Sequence, residues 1–287
     1  MPQLSDEMLD ALGAQPGVPL SDRATANPTW WPSDAPQSKA EGKKALAELG
    51  EQLSAYQERL FASAAVGGAK DSVLLVLQGM DTAGKGGIVR HVMGLMDPQG
   101  VEHHSFKAPT PEEQAHHFLW RIERELPARG KIGVFDRSHY EDVLIHRVKG
   151  LTSRQGIEAR YQRINDFETR LQEQGIRVLK VMLHISREEQ YRRLLERLEN
   201  PQKNWKFTTD DVDDRLLWDD YQQAYEIAIE RTHTQLNPWF IVPADQKWAA
   251  RWTVAQLLLR ELQRIDPQWP TASYDVAEQR ARLEASQ

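Results

Sequence analysis

Cysteine is absent from the 287-residue sequence, which removes disulfide frameworks, thiolate metal ligands and cysteine nucleophiles. No apolar run approaches the roughly 18 residues of a membrane span, and the opening Met-Pro-Gln-Leu-Ser-Asp-Glu has no basic segment leading into an apolar one. A cytoplasmic protein without a membrane partner is the expectation. A basic excess is also missing: 36 Lys and Arg stand against 42 Asp and Glu, for a formal charge of -6. Nucleic acid is therefore not an expected partner, and any polyanion must be met by a local patch. Internal repeats and low-complexity tracts are lacking too.

What is present suits a folded α/β chain, with 40% hydrophobic residues to supply a core. Four short runs rich in Val, Ile and Leu, at 72–78, 131–136, 177–185 and 239–243, read as buried parallel strands, with a weaker fifth at 103–108. Helical spacing marks 38–65, 86–96, 111–126, 157–174, 187–198, 209–235 and 248–265. Ile157, Tyr161, Ile164, Glu168 and Leu171 share a stripe; Val212, Leu216, Tyr221, Tyr225 and Ile229 form the apolar side of one long helix over 209–235. The alternation predicts a five-stranded parallel sheet flanked by helices. Residues 1–50, with a proline-rich stretch at 27–36, read as an N-terminal arm, 51–267 as the main domain and 268–287 as a tail. Trp218, Trp239, Trp248 and Trp252 are expected to pack in the core or an interface.

The first strand runs into Gly79-Met80-Asp81-Thr82-Ala83-Gly84-Lys85-Gly86-Gly87 and then a helix. This is the context of a phosphate-binding loop, in which backbone N–H groups and a helix N-terminus converge, glycine permits close approach and lysine neutralises charge. The cradle is assigned to Gly79, Thr82, Ala83, Gly84, Lys85, Gly86 and Gly87. A serine or threonine normally follows the lysine to hold Mg²⁺, and Gly86 stands there instead. Asp81, a carboxylate among anion-binding amides, is the substitute metal ligand. Asp136 ends a later strand and is the second, with Arg137 beside it to hold phosphate oxygens.

Three ordered motifs carry a resemblance. Residues 79–87 and Phe135-Asp-Arg-Ser-His-Tyr-Glu-Asp-Val-Leu144 resemble the Walker A and Walker B motifs of the polyphosphate kinase 2 family, and Arg192-Arg193 through Arg197 to Asn204-Trp205-Lys206-Phe207 resembles its lid. The likeness spans roughly residues 40 to 265. It implies a P-loop kinase fold with a helical lid at about 187–215, acting on inorganic polyphosphate and AMP, ADP or ATP, with Mg²⁺ as cofactor. By matching position, Asp81 and Asp136 serve Mg²⁺, while Lys85, Arg137 and Arg197 hold phosphates. His139-Tyr140-Glu141-Asp142 resembles the class III members, which phosphorylate both AMP and ADP, making Glu141 the residue tied to that subclass. The resemblance also suggests a homo-oligomer, for which a tetramer is one candidate form.

The lid cations Arg187, Arg192, Arg193, Arg197, Lys203 and Lys206 suit a long polyanion, with Arg192, Arg193 and Lys206 as added phosphate contacts. They alternate with Glu188, Glu189, Glu196 and Glu199, so a solvated, self-paired helix face is the competing reading. The acidic run at 210–214 reads as a helix start. His103-His104 and His116-His117 lack metal-ligand spacing. An ATP-dependent nucleoside monophosphate kinase would share the architecture, but the loop carboxylate and the missing hydroxyl argue against it. A non-catalytic nucleotide-binding regulator is the other rival; no Asn-Lys-x-Asp guanine-reading sequence is present.

Overall fold

A computed structural model describes residues 4–15, 17–26, 28 and 30–287; Asn27 and Thr29 of the proline-rich stretch, and the opening Met1 to Gln3, lie outside them. The chain runs α1 (Asp6–Leu12), α2 (Lys39–Ala65), β1 (Ser72–Gln78), α3 (Lys85–His91), β2 (Val101–Ser105), α4 (Pro111–Gln114), α5 (Trp120–Glu123), β3 (Ile132–Asp136), α6 (Ile145–Val148), α7 (Arg154–Glu173), β4 (Ile176–His184), α8 (Arg187–Glu199), α9 (Asp210–Leu216), α10 (Trp218–Thr232), β5 (Trp239–Pro243), α11 (Lys247–Ile265) and α12 (Val276–Glu284). The strands form one sheet in the order β2-β3-β1-β4-β5, every pairing parallel.

Period-two alternation explains why β1 is apolar throughout. Val73, Leu75 and Leu77 pack with Leu53 of α2, Ile88 of α3 and Leu258 of α11 on one face, while Leu74 and Val76 pack with Ile164 of α7 and Tyr225 of α10 on the other. Trp218, Trp239 and Trp252 are buried. Trp248 lies so close to Gly42 that a Cβ there would stand 2.5 Å from the indole, so glycine is required where α2 crosses α11.

Several expectations are corrected. Helix α2 runs unbroken from Lys39 to Ala65, and its Leu49, Leu53 and Leu60 join the core beneath the sheet. The arm proper bonds to the edge strand, where the Ala14 N–H donates to the Trp239 carbonyl at 2.8 Å, which covers an edge that would otherwise be free to pair. The fifth strand covers 101–105 and not 103–108, because its register ends with Ser105 opposite Asp136. The helix expected over 111–126 is two single turns, α4 and α5. The long helix expected over 209–235 breaks at Leu217 into α9 and α10. Tyr221, Tyr225 and Ile229 are buried as expected, but Val212 and Leu216 are 44% and 74% exposed. The break turns α9 away from the sheet, because Asp211 is drawn to Arg197 of α8, 3.2 Å away.

Glu168, the one acidic member of the α7 stripe, is buried on a charge. Lys180 of β4 donates to its carboxylate at 2.7 Å, to the Thr232 carbonyl at 2.7 Å and to the Tyr140 hydroxyl at 3.2 Å. His139 Nε2 lies 3.2 Å from the same carboxylate. Removing one partner leaves the other charged in a dry core, so Lys180→Met is expected to lower stability by about 3–5 kcal/mol. The double variant Lys180→Met/Glu168→Gln is expected to recover part of that. Urea unfolding midpoints check both; a Lys180→Met loss under about 1 kcal/mol would show that the network is relaxed or hydrated.

Candidate active site

Ligands of open parallel sheets bind at the C-terminal ends of the strands, where the chain changes direction across the sheet. Here β1 lies between β3 and β4. The β1–β3 register sets Leu77 against Asp136, so the Asp136 carboxylate stands beside the point where β1 becomes the glycine loop. Gly79 has φ 146°, and a Cβ there would meet the Leu183 carbonyl oxygen at 2.6 Å; only glycine turns the chain off this strand. The Gly79 N–H donates to the Tyr225 hydroxyl at 3.2 Å. Thr82, at φ 64°, bends the loop further, and α3 starts at Lys85. Lys85 folds back over the loop, donating to the Gly79 carbonyl at 2.7 Å, and is buried.

Arg137 donates to Asp81 Oδ1 at 3.1 Å, joining the loop to the residue after Asp136. Burial pushes the Asp81 carboxyl upward, but Lys85 and Arg137 together outweigh it, and Arg197 adds to them; the carboxyl stays below its ordinary value. Beneath the pair lies Glu141, whose burial raises its carboxyl despite Arg137 and Lys85. The Gln78 amide, with its nitrogen toward Glu141 at 3.1 Å and its oxygen toward the Ser138 hydroxyl at 3.1 Å, holds that carboxylate in place.

The residues fit a hard divalent cation. Asp81 and Asp136 are hard oxygen donors, and such an ion needs only one or two carboxylates because water and phosphate complete its shell. Among the described residues no three acidic or histidine side chains gather as an all-protein metal cage. Thr82 Oγ1 is buried without a hydrogen-bond partner among the described residues, an orphan that a phosphate or metal-bound water would satisfy. A Cβ on Gly86 would meet nothing within 4 Å, so crowding does not account for the missing hydroxyl.

The lid cations divide. Arg197 donates to the Lys206 carbonyl at 2.9 Å and to Asp211, and its charge reaches Asp81. Arg192 is exposed and held by Glu189. Lys206 Nζ lies 5.0 Å above the Trp205 ring. Arg193 is 3% exposed and sits under the loop. Its guanidinium has five N–H donors, and five bonds are formed: to the Thr82 and Ala83 carbonyls at 2.8 and 3.0 Å, to the Ala244 and Asp245 carbonyls at 2.6 and 2.9 Å, and to Glu189 at 2.6 Å. With every donor engaged, Arg193 is placed to brace the loop and not to hold phosphate. Gln190 adds a second brace, taking Arg215 of α9 at 2.9 Å and donating to the Asp81 carbonyl at 3.3 Å.

Sequence reasoning missed Gln78, Gln190, Asp211 and Tyr225 as supports of the site. A polar residue closing an apolar strand was a signal for Gln78; the others sit on helix faces with nothing local to distinguish them. The histidine pairs take ordinary partners: His104 meets Glu125 at 2.9 Å, and His116 stacks on Trp120 with ring centroids 4.0 Å apart.

A strand, glycine loop and helix, a carboxylate closing the neighbouring strand and an arginine between them define a P-loop phosphotransferase site. Residues 36–270 match the family described as polyphosphate kinase 2, and the chain belongs to that family. It is 44% identical over 227 residues to the AMP/ADP-polyphosphate phosphotransferase of Meiothermus ruber, covering 79% of this chain and 83% of the relative. It is 39% identical to the ADP-polyphosphate phosphotransferase of Rhodopseudomonas palustris, covering 84% and 86%. The crystal structure of polyphosphate kinase 2 from Arthrobacter aurescens superposes with a TM-score of 0.93 at 48% identity, covering 99% of both chains. No helix of the described residues is long and apolar enough to cross a membrane.

Proposed function

We propose that this chain transfers the terminal phosphoryl group of inorganic polyphosphate to AMP and ADP, giving ADP and ATP. The observation that carries the reading is the Asp81 carboxylate inside the phosphate loop, held by Arg137 from the Asp136 strand, where a hydroxyl-bearing loop would have none. In this mechanism the loop amides of 79–87 and Lys85 hold the reacting phosphates in line, and Arg137 with Arg197 faces the charge that spreads over the moving phosphoryl. Asp81 and Asp136 would hold Mg²⁺, which would supply charge neutralisation when bound. The acceptor is a nucleotide phosphate whose second ionisation is near ~6, so no strong general base is required. Glu141 supports acceptance of both AMP and ADP. The same reading has the protein acting in the cytoplasm as a homo-oligomer, with a tetramer as one candidate form.

The test is to incubate the purified protein with Mg²⁺ and AMP or ADP, offer polyphosphate or ATP as donor, and separate the nucleotides by chromatography. ADP formed from AMP, and ATP from ADP, only when polyphosphate is supplied, is the expected result. Phosphorylation of AMP with ATP alone would replace the reading with a monophosphate kinase; nucleotide binding without turnover would replace it with a regulator.

A further inference from the structure

Residues before 36 lie outside the stretch that matches the family, yet the arm is bonded firmly into the body of the chain. Arg23 fastens it to its own beginning, donating from Nη1 to the Ala11 carbonyl at 2.9 Å and from Nη2 to the Gly13 carbonyl at 3.0 Å. Leu20 is buried, and its N–H donates to the Glu226 carboxylate of α10 at 2.7 Å. These bonds deliver the residues that follow to the C-terminal ends of β4 and β5. There the His184 ring, buried where β4 ends, is hydrogen-bonded to the Leu20 and Arg23 carbonyls. The Asp245 N–H donates to the Thr25 carbonyl at 3.0 Å. Ala244 and Asp245 are also where Arg193 sends two of its five bonds, while its Nη1 holds the Thr82 and Ala83 carbonyls of the phosphate loop. The Ala83 carbonyl and the Gly84 N–H belong to one trans peptide group and point in opposite directions. An arginine that grips the carbonyl from under the loop therefore turns the N–H toward the phosphate cradle. Thr82, left-handed at φ 64°, keeps that conformation only where its surroundings hold it.

A path of direct contacts thus runs from the arm through Asp245 and Arg193 to an amide of the cradle. Covering the edge of β5 accounts for the bond from Ala14 to Trp239, but not for Thr25 reaching the residue that Arg193 also uses. We propose that the N-terminal arm is a positioning element of the active site, with Arg23 as the residue that fastens it. By holding Asp245 the arm fixes Arg193, and through Arg193 the direction of the Gly84 N–H. Coupling of this kind travels through a contiguous physical network, and from Arg23 to the loop no hydrogen bond of this path is longer than 3.0 Å. The proposal rests on the functional reading above and gives that site a support from outside the matching stretch.

The experiment is a double-mutant cycle in the full chain with Arg23→Met and Arg193→Lys, reading ADP phosphorylation by polyphosphate alongside urea unfolding. Arg23→Met is expected to lower kcat about tenfold by misplacing the loop, with the KM for ADP unchanged. Arg23→Lys, which can still donate to both carbonyls, is expected to restore most of the rate. Arg193→Lys brings three donors where five bonds are made, so its own loss of kcat is expected to be larger. In that background Arg23→Met is expected to add nothing. Side chains that share no partner normally act additively, so a missing second loss is the mark of a common path. An arm that only stabilises the fold would lower the urea midpoint of Arg23→Met and leave the kcat of the folded protein unchanged, which overturns the proposal. Fully additive losses overturn it too, because the arm would then act without Arg193. Wild-type protein that ignores polyphosphate overturns the functional reading instead. The same cycle is then read on the affinity of the loop for inorganic tripolyphosphate, where Arg23→Met protein that binds as the wild type does overturns the role of the arm as well.

Discussion

Lys85→Met is expected to lower kcat/KM by about 10³-fold, about 4 kcal/mol of transition-state stabilisation. The ammonium is buried in the loop and bonded to the Gly79 carbonyl at 2.7 Å, so methionine keeps the length and apolar stem while deleting only the charge. Phosphate brought to the cradle then meets backbone dipoles with no full positive charge among them. A second consequence concerns pH. Lys85 is the foremost of the cations that hold the Asp81 carboxyl below its ordinary value against the effect of burial. Without it that carboxyl rises and takes up its proton sooner as the pH falls. The acid limb of the pH–rate profile should therefore move to higher pH. Steady-state kinetics across pH, with circular dichroism to show an unchanged fold, check both. A loss below about tenfold would reduce the lysine to a screening charge.

Arg137→Ala is expected to cost about 10³-fold in kcat with a smaller change in the KM for either substrate. The guanidinium is 42% exposed on the site side while bonded to Asp81, so it can meet the phosphoryl group without leaving its anchor. Burial alone would lower its proton affinity, but Glu141 and Asp81 together raise it, so the charge is permanent over any working pH. Its backbone adds a separable effect. Arg137 has φ 65°, a left-handed conformation that costs a residue with a Cβ about 1–2 kcal/mol. Arg137→Gly should thus be as inactive as Arg137→Ala yet more stable than it by about 1 kcal/mol, measured by chemical unfolding. Equal stability of the two variants would mean that the left-handed turn is not strained in solution.

Much of this was open to reading in the sequence because it is governed by local rules. The β1 run of 72–78 is apolar on both faces, and that pattern belongs to a central parallel strand. The Gly79 to Gly87 loop, the strand-ending Asp136 and the adjacent Arg137 follow from the chemistry of holding phosphate. Glu168 shows where such rules weaken: its position on the α7 stripe announced that it would face inward, but its partner Lys180 lies on another element, and only the fold joins them.

The lid shows the limit more sharply. Its cations spread along 187–206, and although the resemblance singled out Arg197, the residues themselves left open whether they bind polyanion or pair with the glutamates between them. The fold separates them: Arg193 goes under the loop with five bonds, Arg192 lies out on Glu189, and Arg197 bonds to Asp211 and the Lys206 carbonyl. The kink at Leu217 was likewise invisible, since nothing in 209–235 breaks a helix and the cause is Asp211 reaching Arg197 across space. The sequence by itself determined four of the five strands and the glycine loop, because each depends on neighbours a few residues away. The tertiary structure alone decided which charges are satisfied and which remain open. A charge is satisfied by groups distant in the chain, as Lys180 of β4 is by Glu168 of α7 and Arg193 of α8 is by carbonyls of the phosphate loop and of Ala244 and Asp245.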